Sequence, residues 1–188
     1  MQKIALASAS PRRKALLKKL FSNFVIFEAP PMTKQPKRCA KEETVAKAEF
    51  KAQWVALRNP NTYVIGADTI VQSTGKFGKP KNEKSARRML KAISAKKVRV
   101  YTSICIAFFD GNKKIRKRIW TEYADLSFRK ISDKEIEEYL RSKKWIGKAG
   151  GFNVAQMPAK SWIEKVEGDI NTAVGLPLTN IKKEIRLL

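Results

Sequence analysis

The spacing of apolar residues changes along the chain, and each change marks an element. Residues 4–7 (IALA) are a short continuous apolar run, the pattern of a buried strand. Leu16, Leu17 and Leu20 follow at i, i+1 and i+4, one face of a helix. Ser10 stands at the N-cap position of that helix and Pro11 at its first position. Residues 23–27 (NFVIF) predict a second strand. Residues 30–41 hold three prolines and no period, so they predict a loop. Residues 42–57 predict a helix with Val45, Ala48, Ala52, Val55 and Ala56 along one side and Thr44 as an internal or late cap. Asn59-Pro60-Asn61 ends it.

Residues 62–67 (TYVIGA) predict a buried strand that ends at Asp68. A Ser-Thr-Gly turn lies within 71–77, and 78–80 form a tight Gly-Lys-Pro loop. Asn82 then caps a helix running to about Ser94. Strands over 98–109 and 115–128 are joined by Asp110-Gly111-Asn112, a hairpin signal. Ser132 caps a helix through Leu140, with Glu135 completing a capping box. The remainder predicts a glycine-rich loop with a short strand (147–156), a strand (161–166), a turn (175–178) and a terminal helix (179–188). No repeat or linker interrupts the pattern. The expectation is one domain over residues 1–188, of mixed α/β class.

Charge adds a constraint. Lys and Arg total 40 against 17 Asp and Glu, a formal net charge of +23. The excess is uneven: Glu28 is the one acid in residues 1–41, and 84–109 have none. Such a field attracts polyanions, either nucleic acid or a nucleoside triphosphate. Aromatics are not interleaved with the basic residues as a base-stacking surface needs. The chain has no histidine, which removes His-based triads and His metal sites. Proton chemistry is left to Asp, Glu, Lys, Tyr, Cys or a metal-bound water, and a hard metal to oxygen ligands. Cys39 and Cys105 form no metal-spaced pair and read as buried, reduced thiols. No apolar run approaches a membrane span, and the N-terminal run is too short for a signal peptide, so a cytoplasmic protein is expected.

Four stretches place polar groups at strand ends or in loops: 8–13, 68–69, 78–80 and 148–156. In the first, Arg12 and Arg13 occupy the first turn of a helix, where the dipole disfavours cations; a bound anion shared by both would account for them. Asp68 is expected at the C-terminal edge of its strand, where open α/β sheets bind ligands. Lys79, between Gly78 and Pro80, sits in a rigid turn that suits a phosphate contact.

The stretches Leu6-Ala7-Ser8-Ala9-Ser10-Pro11-Arg12-Arg13-Lys14-Ala15-Leu16-Leu17, Lys51-Ala52, Val64-Ile65-Gly66-Ala67-Asp68-Thr69-Ile70-Val71, Gly78-Lys79-Pro80, Lys148-Ala149-Gly150 and Val174-Gly175-Leu176-Pro177-Leu178 are specific together. In order and spacing they resemble the Maf family of nucleoside triphosphate pyrophosphatases, over nearly the whole chain. The resemblance implies a Maf/inosine triphosphatase-like fold, an elongated mixed sheet with flanking helices and a cleft between two lobes. It implies hydrolysis of dTTP and UTP, or of modified nucleotides, to the monophosphate and pyrophosphate with Mg²⁺ or Mn²⁺. By it Asp68 is the proton acceptor for the attacking water and a metal ligand. Arg12, Arg13, Lys51 and Lys79 hold the phosphates, with Ser8 nearby. Arg12 and Thr69 help select the base, and both fit the branch that prefers dTTP and UTP. A homodimer is expected from the resemblance alone. A slow, nucleotide-binding relative and a basic nucleic-acid-binding protein are the alternatives.

The chain departs from the family pattern in two places. Thr33 and Lys34 replace an acidic pair, and Phe50 stands where glutamate is common, which implies weaker Mg²⁺ binding. The column of the base-selecting glutamine holds Ala155, with Gln156 one step later. In a strand that step would turn the side chain to the other face.

Overall fold

The computed structural model describes residues 3–32, 39–112 and 114–188. Its elements are β1 (Lys3–Leu6), α1 (Pro11–Leu17), β2 (Val25–Ile26), α2 (Ala40–Ala56), β3 (Thr62–Gln72), β4 (Lys76–Phe77), α3 (Glu83–Ile93), β5 (Lys97–Phe108), β6 (Arg116–Phe128), α4 (Asp133–Arg141), β7 (Ile163–Glu167), α5 (Ile170–Val174) and α6 (Ile181–Arg186). The strands form one mixed sheet in the order β2-β1-β3-β5-β6-β7, with β4 paired to β3. β1 runs parallel to β2 and β3, while β4 and β7 pair antiparallel. This is the α/β class the sequence predicts. Among the described residues no helix is long and apolar enough to cross a membrane.

The chain divides into two compact units, one of Met1–Asp68, Thr102–Glu122 and Gly175–Leu188, the other of Thr69–Tyr101 and Tyr123–Val174. In the first unit the part of the core under α2 is built from small residues. Ala48, Ala52, Val55 and Ala56 of α2 meet Ala5, Val64, Cys105 and Ala107 of the sheet, and Ala7 just past β1. Short side chains let helix and sheet approach closely, and Gly66 is the extreme case. A Cβ there would fall 2.4 Å from the carbonyl oxygen of Ala48 and 2.7 Å from the backbone nitrogen of Ala52. The core of the second unit is larger and aromatic, with Phe128, Tyr139, Trp145, Phe152 and Trp162 among the side chains packed around α3 and α4. Tyr139 and Trp162 meet edge to face at 5.0 Å.

Several expectations hold to within a residue or two. Asn82 and Ser132 cap α3 and α4 in full capping boxes, with Ser85 and Glu135 as the reciprocal partners. Others are corrected. α2 begins at Ala40, and its capping box joins Cys39 to Glu42, so Thr44 is an interior residue and no cap. Ser10 holds the N-cap position of α1 without a side-chain cap; its N–H donates instead to Ser8 Oγ at 3.3 Å. β2 is two residues long. The 147–156 loop carries a 3₁₀ turn at Ala149–Gly151 and no strand. Residues Ala159–Trp162 are likewise 3₁₀, so β7 starts only at Ile163. Cys39 is exposed, whereas Cys105 is buried and its thiol pushed up to about 12 by that burial. Both are free thiols. Thr33 and Lys34 lie outside the described residues.

Strand β3 corrects the reading of Asp68. It continues through Asp68 and Thr69 to Gln72. Its parallel pairing ends earlier: β1 matches it from Thr62 to Ile65, and Ala7 N–H closes the ladder on the Ile65 carbonyl at 2.8 Å. Beyond that, β3 takes β4 as an antiparallel neighbour at Val71 and Gln72. Asp68 therefore stands past the end of β1 but inside β3.

Candidate active site

In the first unit, five of the expected residues come from three elements. Ser8 follows β1 directly, because that strand stops at Leu6 and the small residues Ala7–Ser10 turn the chain into α1. Ser8 is 9% exposed and accepts from Ser10 N–H and, at 3.2 Å, from Arg13 Nη1. Arg13 Nε donates to the carbonyl of Gly175 at 2.8 Å. Arg13 is buried, at 8% exposure, while Arg12 is half-buried beside it. Burial lowers the pKa of Arg13 from its ordinary value; the charge of Asp68 works against that lowering and the charge of Arg12 adds to it. The charges of Arg12, Arg13 and Asp68 thus act on one another.

Lys51 reaches the same carboxylate from α2. Its Nζ donates to Asp68 Oδ1 at 2.5 Å and to the Ala67 carbonyl at 3.2 Å. Both partners of this ion pair are partly shielded, with side chains 26% and 15% exposed. The close approach at Gly66 explains the reach. Ala52, which touches Gly66, follows Lys51 in α2, and Asp68 lies two residues past Gly66 on the same face of β3.

The second unit holds the other three. Thr69 is half-buried on β3, on the opposite face to Asp68 by strand alternation. Lys79 is exposed on the 78–80 turn, next to a buried Pro80. That turn is tied to the glycine-rich loop, since Gly150 N–H donates to the Gly78 carbonyl at 3.0 Å. Gly150 sits at φ 68°, a conformation side chains rarely adopt, and a Cβ there would meet Phe152 at 2.7 Å. Gln156 is exposed, in a turn where its N–H donates to the Asn153 carbonyl at 3.1 Å. Ala155 is exposed in the same turn. The alternation expected to separate the two does not apply, because no strand is present.

Two contributors carry signals that went unread in the sequence. Gly66 is a glycine inside a buried apolar strand, a mark of close backbone approach. Gly175, the acceptor for Arg13, belongs to the Val174–Leu178 stretch quoted above, but nothing local ties it to a residue 162 positions earlier. Among the described residues, no group of three or more Asp, Glu or Cys side chains is placed to hold a metal ion.

A carboxylate gripped by an ammonium, under the charge of a buried arginine and flanked by a second, is a cluster of cations that can bind an anion. The family is given by comparison with known proteins. The family profile described as Maf-like protein matches residues 3–188. A protein named dTTP/UTP pyrophosphatase from Pyrococcus furiosus is 38% identical over 188 residues, covering 100% of this chain and 96% of its own length. Proteins of the same name from Agathobacter rectalis and Methanosarcina mazei are 35% and 36% identical, with 98% and 95% of their lengths covered. The chain belongs to the Maf-like protein family.

Proposed function

We propose that this protein is a nucleoside triphosphate pyrophosphatase that hydrolyses dTTP and UTP to the monophosphate and pyrophosphate. The observation that carries the reading is the Lys51–Asp68 contact at 2.5 Å, in the field of Arg13. The name shared by full-length relatives supports the substrate class.

Asp68 accepts the proton of the attacking water. Lys51 holds Oδ1 and leaves Oδ2 for that task, which fixes the carboxylate before substrate arrives. The water oxygen bonds to the α-phosphorus, the bond from that phosphorus to the bridging oxygen breaks, and pyrophosphate leaves. Little covalent chemistry falls to the protein, so neutralising the phosphate charge is its main task. We assign that to Arg12, Lys51 and Lys79. Arg13 has a different part: Nε and Nη1 serve Gly175 and Ser8, so it orders the loop while lending its charge. Base selection is assigned to Arg12 and Thr69, and to Gln156 from its exposed turn.

Among the described residues no group of three or more Asp, Glu or Cys side chains gathers at Asp68, so its donors fit a divalent cation that arrives on the nucleotide. The Asp68 carboxylate and phosphate oxygens would hold such an ion. When bound it would neutralise phosphate charge and acidify a water.

The test is pyrophosphate release across all common and modified triphosphates with Mg²⁺ and with Mn²⁺. The expected result is turnover with dTTP and UTP ahead of the purine nucleotides. Nucleotide binding without pyrophosphate release would overturn the reading and leave a binding protein.

A further inference from the structure

Three hydroxyls in the first unit form a chain that the proposed reaction does not use. Thr44 is on α2, Ser103 on β5 and Thr121 on β6. Thr44 and Ser103 are fully buried, beside a cluster made mostly of alanine and valine. Thr44 Oγ1 donates to the Lys41 carbonyl at 2.8 Å. Thr44 and Ser103 oxygens lie 2.7 Å apart, and those of Ser103 and Thr121 lie 2.8 Å apart.

Each hydroxyl has one proton to give. That of Thr44 goes to Lys41, so Ser103 must donate to Thr44, and Thr121 to Ser103. The chain has a single sense, from β6 through β5 into the first turn of α2. Buried chains of this kind strengthen each bond, and removing one member leaves a neighbour unsatisfied.

Thr44 is seven residues before Lys51, two helical turns, so the two lie along one stripe with Ala48 and Ala52. That stripe is nearly smooth. At Gly66 no side chain of the strand stands between it and the helix. A smooth seam gives close packing but few knobs to fix a helix along its axis. Directed hydrogen bonds supply what the alanines lack.

We propose that Thr44 is a positioning residue: through Ser103 and Thr121 it sets the register of α2 on the sheet, and so holds the Lys51 ammonium on Asp68. The use of that pair in hydrolysis rests on the function proposed above; its placement does not.

The test compares Thr44→Val, which keeps the shape and loses the hydroxyl, with Thr44→Ser, which keeps the hydroxyl. One readout is the acetylation rate of Lys51 in the folded protein, measured by peptide mass spectrometry relative to exposed Lys182. An ammonium held on a carboxylate acylates slowly, so Thr44→Val should speed Lys51 severalfold over Lys182, and Thr44→Ser should not. The other readout is steady-state kinetics with dTTP. Thr44→Val should lower kcat about tenfold, the mark of misplaced groups, and Thr44→Ser should match wild type. Unchanged Lys51 labelling in Thr44→Val, or equal effects of the two variants, would overturn the proposal. If Thr44→Val does not fold, Ser103→Ala removes the donor that holds Thr44 and carries the same expectation. A wild-type protein inactive on every triphosphate would overturn the pyrophosphatase reading alone, because the labelling still decides where Lys51 sits.

Discussion

Lys51 Nζ donates both to Asp68 Oδ1 at 2.5 Å and to the carbonyl of Ala67 at 3.2 Å, so one ammonium grips β3 by side chain and backbone together. Asp68→Asn keeps an oxygen acceptor for Lys51 and removes the base. Turnover should fall at least about a hundredfold, the usual scale for a general base. Thermal melting should stay close to wild type, because a partly exposed ion pair contributes only about 0–1 kcal/mol. Near-normal turnover in the folded variant would remove Asp68 from the chemistry.

The seam behind that pair has no slack. In Gly66→Ala the new Cβ would lie 2.4 Å from the Ala48 carbonyl oxygen, a backbone atom that cannot swing aside. The helix must lift, at a cost of about 1–3 kcal/mol for overpacking, and Lys51 lifts with it. Denaturant melts and kcat should both drop. A variant as stable and active as wild type would show that α2 is not seated as described.

Neighbouring arginines should respond in opposite ways. Arg12→Ala should weaken nucleotide binding by about 1.5–3 kcal/mol, the range for hydrogen bonds to charged groups, with little change in melting. Arg13→Ala strips buried donors from Gly175 and Ser8 and should lose about 1.5–3 kcal/mol of folding stability on the same scale. Calorimetry for binding and for unfolding separates the two. If Arg12→Ala unfolds the protein and leaves affinity intact, the assignments are exchanged.

Acid should expose a different contact. Arg129, and then the Ser132 N–H, hold the carboxyl of Glu135 down to about 2 from an ordinary 4.5. The folded pKa lies below the unfolded one, so the stabilisation is complete above about pH 4.5 and fades as pH falls towards 2. The melting-temperature gap between wild type and Glu135→Gln should therefore be constant near neutrality and close through that window. A gap that persists undiminished at pH 2 would point to packing as its source.

A prediction on metal demand follows from the sequence at Thr33 and Lys34. With a lysine where the family resemblance implies an acid, activity should need high Mg²⁺, and Thr33→Asp combined with Lys34→Glu should shift the curve of activity against Mg²⁺ to lower concentration. Identical curves for the two proteins would show that these two positions take no part in metal use.

The caps of α3 and α4 were legible because their rule is local: Asn82 and Ser132 lie three residues before their partners. The extent of β3 was not. Asp68 looks like a strand end because it is polar after an apolar run, yet the strand survives by exchanging β1 for β4, which only the tertiary structure supplies. Residues 161 and 162 resemble strand through the apolar Trp162, yet they form a 3₁₀ turn in which that ring packs edge to face on Tyr139. The site residues were legible as a family pattern. Their connections were not: the bond from Arg13 to Gly175 and the touch of Gly66 on Ala52 join stretches that share no periodicity.

The wide sequence span of the first unit has a consequence for how the protein is made. Its segments are Met1–Asp68, Thr102–Glu122 and Gly175–Leu188, with all of the second unit synthesised between the first and last of them. A chain emerging from the ribosome carries Arg13 early and its acceptor only 162 residues later. Until then the Arg13 bond to Gly175 cannot form, and β1 has β2 beside it but waits for β3 on its other edge. Long-range closures of this kind are slow and leave strand edges uncovered meanwhile. The second unit, with a single excursion away from it, closes its aromatic core over a shorter span of sequence. The stretch that contains Gly175 locks the one that contains Arg13, across the whole of the second unit.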